Sequence, residues 1–272
     1  MQTLQLIHGP VRRESRTNPC GPWGAVEGEI SNGRIVSEFP MRSPSAIKWN
    51  EAGWPCGAGE FFKGLPIEAR RDLEFLATHF QHPAAMVLIR EEQEPSSILF
   101  LLEGEVNISM NSVEGRRFLL GVAGPGDMLG LTSALCGDLS GIRAETRYPC
   151  RVAAIDRADF LEFIVFHPAA CQNVARELSQ HYARAGERLR ILGLASSATA
   201  KLAMLLLEWC RRGQTTPNGI QIRCVLTHGE IGECIGVSRE TVTRAMTEFK
   251  NQGLVKTRGS ALIVTSRGAL AI

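Results

Sequence analysis

Residues 226–255 constrain the fold of this chain most strongly, because they contain two short helical patterns that a tight turn separates. Thr227 can cap a first helix, and Glu230 three residues later completes a capping box. Gly236 suits the end of that helix, and Ser238 can cap a second helix. Apolar residues recur at helical spacing in the second helix: Val242, Ala245, Met246 and Phe249. The segment is therefore predicted to form a helix-turn-helix.

The start of the second predicted helix carries side chains that suit base recognition, namely Arg239, Glu240 and Arg244. A recognition helix directs its N-terminal residues at base edges in the major groove of DNA. Arginine can bind both acceptors of guanine, and glutamate can accept a hydrogen bond from cytosine N4. We therefore predict that these three residues read bases. The alternative interpretation is a helical hairpin with a charged outer face.

Upstream, the sequence predicts short strands and then long helices. Strands are predicted over four stretches, Ala85–Arg90, Ile98–Glu103, Val106–Met110 and Arg117–Val122. Their regular spacing favours a sandwich or barrel. Helices are predicted over Pro66–Phe80, Asp156–Leu194 and Ala195–Cys210. The remaining elements are a turn over Gly213–Asn218, a strand over Ile220–Val225, and a hairpin that pairs Val255–Thr257 with Ala261–Thr265.

The long predicted helix carries a heptad pattern. Spacings of four and three residues alternate along Cys171, Ala175, Leu178, Tyr182, Ala185, Leu189 and Leu192. A period of 3.5 residues sustained for three heptads is typical of a coiled-coil seam. The pattern therefore favours a homodimer. A helix that lies on its own domain remains the alternative.

The segment Ser238-Arg239-Glu240-Thr241-Val242-Thr243-Arg244 resembles the recognition helix of the cyclic-AMP receptor protein branch of the CRP/FNR superfamily of bacterial regulators. The resemblance covers about residues 60–270 and implies that Arg239, Glu240 and Arg244 read a TGTGA-type half-site. Phosphate contacts are implied for Thr227, Ser238, Thr241 and Arg258, and Thr243 is counted with them. The implied partners are double-stranded DNA, a second copy of the chain and RNA polymerase.

The resemblance also implies an α+β architecture with an N-terminal β jelly-roll sensor, of the cyclic-nucleotide-binding type, and a C-terminal winged helix-turn-helix. The predicted parts are an N-terminal extension of unclear structure (1–60), the jelly-roll sensor domain (61–166), a dimerisation helix (167–194) and the winged DNA-binding domain (195–272). The predicted function is sequence-specific transcription regulation in response to an unidentified signal. An effector-binding module with weak DNA binding is the competing hypothesis.

The predicted sensor departs from the members of this superfamily that bind cyclic AMP. Those members hold the ribose with a glutamate, and the phosphate with an arginine and a neighbouring serine or threonine. Leu131 stands in place of the glutamate, and Ser140-Gly141 stands in place of the phosphate-binding pair. A buried phosphate without a cationic partner is costly. Arg143 is close in sequence, but strand alternation leaves its direction open. We therefore do not expect cyclic AMP to bind.

The cysteine pattern bears on an iron–sulfur cofactor. FNR-type members hold a cluster with three closely spaced N-terminal cysteines and one on a later strand, and Cys150 matches the later position. Only Cys20 and Cys56 precede the predicted roll, 36 residues apart, and only Cys136 or a non-cysteine ligand could complete a set of four. The spacing does not support a cluster. A redox or cluster role for Cys20, Cys56 and Cys150 remains the alternative. Haem-binding members use a histidine, and no spacing singles one out among His79, His82, His167 and His181.

Composition narrows the class of protein further. Residues 1–194 have 20 Lys and Arg against 23 Asp and Glu, a balance of −3, whereas residues 195–272 have 10 against 5, a balance of +5. A basic C-terminal part suits a polyanionic partner. No apolar run of membrane-spanning length and no secretory signal is present, so we expect a cytoplasmic protein without a membrane partner. No catalytic triad, phosphate loop or metal motif stands at usable spacing, so an enzyme is not expected.

Overall fold

The computed structural model describes residues 59–211, 213–223, 226–258, 261–266 and 270, together with the backbone of two short strands upstream. Strands β1 (Ile30–Ser31) and β2 (Arg34–Ile35) form an antiparallel pair in a unit that spans Met1–Met41. Every other element belongs to a second unit, Arg42–Ile272. Cys20 and Cys56 lie outside the described residues.

The first half of the second unit is a β-sandwich with short helices at its edges. Its strands are β3 (Thr78–His82), β4 (Val87–Ile89), β5 (Ser97–Glu103), β6 (Val106–Asn111), β7 (Arg117–Ala123), β8 (Met128–Leu129), β9 (Arg143–Thr146) and β10 (Cys150–Asp156). They form two antiparallel sheets, in the orders β3-β10-β5-β8 and β4-β9-β6-β7. The helices are α1 (Ile67–Leu76), α2 (Leu131–Cys136) and α3 (Arg157–Phe166). The predicted jelly-roll type of fold is confirmed.

Two apolar clusters hold this sandwich together. Strand β5 is buried on both faces and contributes to both clusters. On one face, Phe100 packs among aromatic rings, with centroids 5.3 Å from Phe61 and 6.2 Å from Phe160. On the other face, Leu101 packs with residues of both sheets, including Val106 and Val152. Burial of such large side chains is the main favourable term in the folding of this half.

A single 27-residue helix, α4 (Pro168–Leu194), follows the sandwich. The stretch predicted to be helical, residues 156–194, forms two helices, α3 and α4, and α4 is the long helix that the sequence placed at residues 167–194. The Asp156 side chain accepts a hydrogen bond from the Ala158 amide and caps α3. Pro168, which has no amide hydrogen to donate, then opens α4. Neither α4 nor any other helix in the described part of the chain is long and apolar enough to cross a membrane.

The second half contains a four-stranded antiparallel sheet and three helices. Its elements are α5 (Ala198–Cys210), β11 (Gln214–Thr216), β12 (Gly219–Arg223), α6 (His228–Ile235), α7 (Arg239–Asn251), β13 (Val255–Arg258) and β14 (Ala261–Val264). The sheet has the order β11-β12-β14-β13. The predicted helix-turn-helix corresponds to α6 and α7, and the β13–β14 hairpin forms the wing. Both predictions are confirmed.

Two predictions of local structure were wrong, because the segments concerned pair with neighbouring strands. The helix predicted to reach Phe80 ends at Leu76, because residues 78–82 pair with β10. The segment predicted as a turn over residues 213–218 contains β11, which pairs with β12. In each case a partner strand provides backbone hydrogen bonds that a single sequence does not reveal.

The two halves contact each other where β7 meets α6. Leu119 of β7 is fully buried within the apolar cluster that forms the core of the second half. Two ion pairs flank it: Arg117 Nε lies 3.7 Å from Glu233 Oε2, and Arg147 contacts the Glu230 carboxylate. Because α6 is the first helix of the helix-turn-helix, this contact positions the motif relative to the sandwich.

Arg147 is the most extensively bonded residue of this interface. Its guanidinium donates to Asn107 Oδ1 at 2.8 Å, and its Nε lies 3.6 Å from Glu105 Oε2. The side chains of Arg147 and Glu230 are 10% and 18% exposed, so solvent screens this pair only weakly. Burial raises the pKa of Glu230, but the Thr227 amide and the Arg147 guanidinium outweigh it and hold that pKa below its ordinary value. The contact therefore stabilises the docked arrangement at neutral pH and is lost as the pH falls through this lowered pKa.

We predict that Arg147→Ala loosens the docking of α6 on the sandwich. The substitution leaves the half-buried Glu230 carboxylate without its cation, and a hydrogen bond to a charged group is worth roughly 1.5–3 kcal/mol. Amide hydrogen exchange in β7 and α6 should become severalfold faster. Arg116→Ala is the matched control, because Arg116 precedes the same strand but is exposed. Equal exchange in the two variants would show that the ion pair does not hold the contact.

Candidate nucleic-acid interface

The first helix of the motif starts with a complete capping box. Thr227 Oγ1 accepts from the Glu230 amide at 3.2 Å, and Glu230 Oε2 accepts from the Thr227 amide at 2.8 Å. Gly236 closes α6 with a φ of +68°, a conformation that glycine adopts without strain. The turn is tight, since a Cβ on Gly232 would lie 2.5 Å from the Val237 carbonyl oxygen. These local features fix where α7 begins.

The second helix has one buried and one exposed face. Ser238 caps it, with its Oγ accepting from the Thr241 amide at 3.3 Å. The buried face packs on α5, α6 and the wing through Val242, Ala245, Met246 and Phe249, none of them more than 5% exposed. These are the four apolar positions that the sequence predicted. The opposite face is left to solvent.

The predicted base-reading residues lie together on the exposed face. Arg239, Glu240 and Arg244 are all exposed at the first turns of α7. A hydrogen bond from its own backbone amide, together with one from the Ser238 hydroxyl, lowers the pKa of the Glu240 carboxyl. Glu240 is therefore an ionised acceptor at neutral pH. The structure thus presents two guanidinium donors and one carboxylate acceptor at the N-terminus of a protruding helix.

The predicted phosphate-contacting residues fall into two groups. Most lie at the helix starts, where their hydroxyls serve the backbone: Thr227 and Ser238 as N-caps, and Thr243 as a donor to the Arg239 carbonyl oxygen at 2.9 Å. Thr241 Oγ1 lies 3.1 Å from Ser238 Oγ and accepts from Arg244 at 3.5 Å. At these positions, an anion would meet the N-terminus of a helix, which carries a partial positive charge and the first backbone amides.

Arg258 lies apart from those helix starts, at the end of β13 in the wing, and its side chain is exposed. Two exposed lysines add to the positive charge of this part of the chain, Lys250 in α7 and Lys256 in the wing. The described surface around α7 and the wing is accordingly basic. That agrees with the positive balance of residues 195–272.

One residue of this surface was missed by the sequence-based predictions. His228, the first residue of α6, places Nδ1 2.9 Å from Thr243 Oγ1 and so links the two helices of the motif. Burial first, and then the charges of Lys250 and Arg239, lower the pKa of His228. The only sequence signal was a histidine directly after the capping Thr227.

In the sandwich half, the two positions at which the resemblance implied contacts to cyclic AMP in other members carry uncharged side chains, Leu131 and Ser140. Leu131 is 1% exposed at the start of α2. Ser140 is 4% exposed, and its hydroxyl donates to the Ile142 carbonyl oxygen at 3.0 Å. The direction of Arg143 is now clear, because its neighbours Ala144 and Thr146 are buried while Arg143 pairs with Glu145 at 2.9 Å.

Cys150, the candidate cluster ligand, is 3% exposed at the start of β10. Its Sγ lies 3.1 Å from the Tyr148 carbonyl oxygen and 3.4 Å from that of Glu105, so the thiol serves as a donor. Burial raises the pKa of Cys150 to about 11. Within the described residues, no group of three or more His, Cys, Asp or Glu side chains is arranged to hold a metal ion. The surroundings of Cys150 suit a protonated thiol rather than a thiolate ligand.

Comparisons with known proteins agree with both halves of the fold. The family model of a cyclic nucleotide-binding domain matches residues 80–165, and that of a Crp-like helix-turn-helix domain matches residues 200–271. The two matches together cover more than half of the 272 residues. Similar curated proteins include the "CRP-like cAMP-activated global transcriptional regulator" of Mycobacterium tuberculosis, 28% identical over 211 residues, which are 77% of this chain and 94% of that protein. The "cAMP-activated global transcriptional regulator CRP" of Salmonella typhimurium is 26% identical over 200 residues, 71% of this chain and 93% of that protein.

Solved structures show the same fold. FixK2 from Bradyrhizobium japonicum superimposes with a TM-score of 0.61 at 22% identity, over 71% of this chain and 95% of its own. A CooA mutant from Carboxydothermus hydrogenoformans gives a TM-score of 0.63 at 19% identity, over 72% and 87%. The curated relatives are transcription regulators, not enzymes. With its β-sandwich, long helix and winged helix-turn-helix, this chain belongs to the CRP/FNR family of DNA-binding transcription regulators.

Proposed function

We propose that this chain regulates transcription as a homodimer that binds an inverted repeat of TGTGA-like half-sites. The observation that carries the proposal is the exposed set of Arg239, Glu240 and Arg244 at the capped start of α7. Such a set has no role in the core of its own domain, and its donors and acceptor match guanine and cytosine edges. The same set counts against an effector-binding module with only weak DNA binding.

The positions of the three residues around α7 give each a different reach into the groove. Arg244 lies four residues after Glu240, about one turn along the same face of α7. Arg239 is rotated by about 100° from Glu240, but its length lets it reach across the groove at the helix start. Arg244 is the residue best placed to bind guanine O6 and N7 with a two-pronged contact. Thr227, Ser238, Thr241, Thr243 and Arg258 would fix the register through phosphates.

The proposed base contact can be separated from a phosphate contact by comparing two arginines. Arg244→Ala should cost roughly 1–3 kcal/mol of binding free energy and relax the preference for one guanine. Arg258→Ala should weaken binding to all sequences alike and lower the salt dependence by about one phosphate contact. The measurement is the Kd of each variant for a TGTGA-N6-TCACA duplex, single-mismatch duplexes and random DNA. If Arg244→Ala loses as much affinity for random DNA as for the matched site, Arg244 does not read a base.

The proposed dimer rests on the outer face of α4. Tyr182 is 83% exposed and Leu189 70% exposed, although both are large apolar or aromatic side chains. Cys171, Ala175 and Ala185 of the same heptad seam are also exposed, whereas Leu178 and Leu192 are half-buried. The adjoining face of α4, with Val174 and Ile191, packs on its own chain, and Leu178 of the seam packs against the same cluster as Val174. The seam therefore borders the intramolecular contact, and its exposed members, Tyr182 and Leu189 above all, are left for a second copy.

Leu189→Glu should convert the dimer to a monomer and weaken DNA binding. A carboxylate at a seam position that is exposed in the protomer would be buried and unpaired in the dimer, which is costly. Ala183→Glu is the matched control, because Ala183 is exposed on α4 but lies off the seam. Light scattering at micromolar concentration measures the mass. Loss of the dimer in both variants, or in neither, would contradict the proposed seam.

We further propose that the signal is not cyclic AMP. Leu131 and Ser140 offer no charge to a ribose or phosphate, and Arg143 is held by Glu145 outside the sandwich core. We also propose that Cys150 is a buried structural residue, since its raised pKa disfavours the thiolate that an iron–sulfur cluster needs. A contact with RNA polymerase belongs to the proposed function, without an assigned surface.

Titration calorimetry with cyclic AMP tests the proposal about the signal. We expect no measurable heat of binding and no change in DNA affinity, because no described cation stands at the positions of Leu131 and Ser140 to offset the buried phosphate. Low-micromolar binding would overturn this interpretation of the sensor. The M. tuberculosis relative, whose name describes it as cAMP-activated, serves as the positive control.

A further inference from the structure

His228 lies where the start of α6 contacts the exposed face of α7. It is the first residue of α6, directly after the Thr227 cap, and its side chain is half-buried against the recognition helix. Its Nδ1 lies 2.9 Å from the hydroxyl oxygen of Thr243, which stands on the exposed face between Arg239 and Arg244 in sequence. The histidine is therefore the polar link between the start of one helix and the DNA-facing surface of the next.

The hydrogen bonds around Thr243 fix which ring nitrogen carries the proton. Thr243 Oγ1 lies 2.9 Å from the Arg239 carbonyl oxygen, which can only accept, so the hydroxyl proton points there. The same oxygen must then accept from His228, and Nδ1 must be the protonated nitrogen. In the neutral ring, Nε2 consequently holds the lone pair. Within the described part of the chain, no residue forms a hydrogen bond with Nε2.

The charges that face His228 are both positive. Arg239 and Lys250, both in α7, act on the ring together with burial, and burial is the largest cause of the lowered pKa. Glu230, the acidic residue nearest in sequence on α6 itself, is engaged with Thr227 and Arg147. His228 is therefore neutral at pH 7 in the unbound protein. A phosphate at the start of α6 would reverse the sign of the local field and favour the imidazolium.

We infer that His228 is a further DNA-contacting residue, which takes up a proton on Nε2 when DNA binds. The protonated Nε2 then donates a hydrogen bond to a backbone phosphate, while Nδ1 keeps its hydrogen bond to the Thr243 hydroxyl oxygen. The proton comes from solvent, and the product is an imidazolium–phosphate pair, a charge-assisted hydrogen bond. This inference rests on the proposed mode of DNA binding by α6 and α7. It adds a residue that the base-reading set does not include.

Proton uptake makes the affinity depend on pH with a definite sign. A group whose pKa is higher in the complex than in the unbound protein strengthens binding at low pH and loses that contribution as the pH rises through the higher pKa. Each unit by which DNA raises the pKa of His228 corresponds to about a tenfold change in affinity. We therefore expect the Kd to increase about tenfold between about pH 5 and pH 8, the range in which histidine titrates.

The inference is tested with three variants of the chain, for which the Kd for the inverted-repeat duplex is measured across this pH range. His228→Gln keeps a side-chain donor but cannot take up a proton, so its Kd should match the wild type at high pH and be about tenfold weaker at low pH. His228→Arg is always charged, so it should bind tightly at all pH values. His79→Gln is the control, because His79 pairs with Glu74 in the sandwich and should keep the wild-type profile.

Two outcomes would overturn the inference: a wild-type Kd that does not change with pH, or a His228→Gln profile identical to the wild type. A calorimetric measurement of wild-type binding in two buffers of different ionisation heat provides an independent check, since it detects proton uptake without any variant. Absence of net uptake would also overturn it.

Because a phosphate contact does not depend on sequence, the pH series is repeated on random DNA. If the wild type shows no preference for the inverted repeat, the proposed function fails, while the pH series still decides the role of His228.

Discussion

The carboxylate of Glu230 is the point on which the arrangement of this molecule depends. One oxygen accepts from the Thr227 amide and closes the capping box of α6, while the same side chain contacts Arg147 of the sandwich. The same side chain therefore caps α6 and connects the DNA-binding half to the sandwich. Whatever changes the position of Arg147 acts directly on the N-terminus of the first helix of the DNA-binding motif.

The contact around Glu230 combines an apolar anchor with charges at its edge. Leu119 is fully buried in the core of the DNA-binding half, and the pairs Arg117–Glu233 and Arg147–Glu230 lie beside it. Burial of a leucine stabilises the contact but depends little on orientation, whereas the ion pairs fix the orientation of the two surfaces. The strand β7 therefore does more than complete a sheet of the sandwich. It provides the surface against which α6 is oriented.

Local signals in the sequence predicted the DNA-binding motif well. Thr227, Glu230 and Ser238 act within three residues of their partners, so the local sequence shows where α6 and α7 each begin. Long-range contacts were not predictable in this way. Arg147 and Glu230 are 83 residues apart, and only the fold brings them together. The contact between His228 and Thr243 spans 15 residues and depends on how α6 packs across α7, which no spacing rule specifies.

The errors at the element boundaries have the same origin. The long helix placed at residues 167–194 corresponds to α4, because its heptad pattern and Pro168 are local signals. Residues 78–82 were assigned to a helix because Phe80 continued its apolar spacing, yet pairing with β10 determines their conformation. Tertiary pairing overrides local propensity wherever a neighbouring strand can satisfy the backbone.

The sandwich half combines the architecture of a cyclic nucleotide-binding domain with uncharged side chains at Leu131 and Ser140. Residues 80–165 match a cyclic nucleotide-binding domain, and Leu131 and Ser140, at which the resemblance implied ribose and phosphate contacts in members that bind cyclic AMP, are both buried and uncharged. Burial of Leu131 stabilises the sandwich itself, and the buried Ser140 hydroxyl donates to the Ile142 carbonyl oxygen, whereas a buried acid or base without a partner would destabilise the fold. The link between the sandwich and the DNA-binding motif is the contact that β7 and Arg147 make with α6, which fixes the position of that helix.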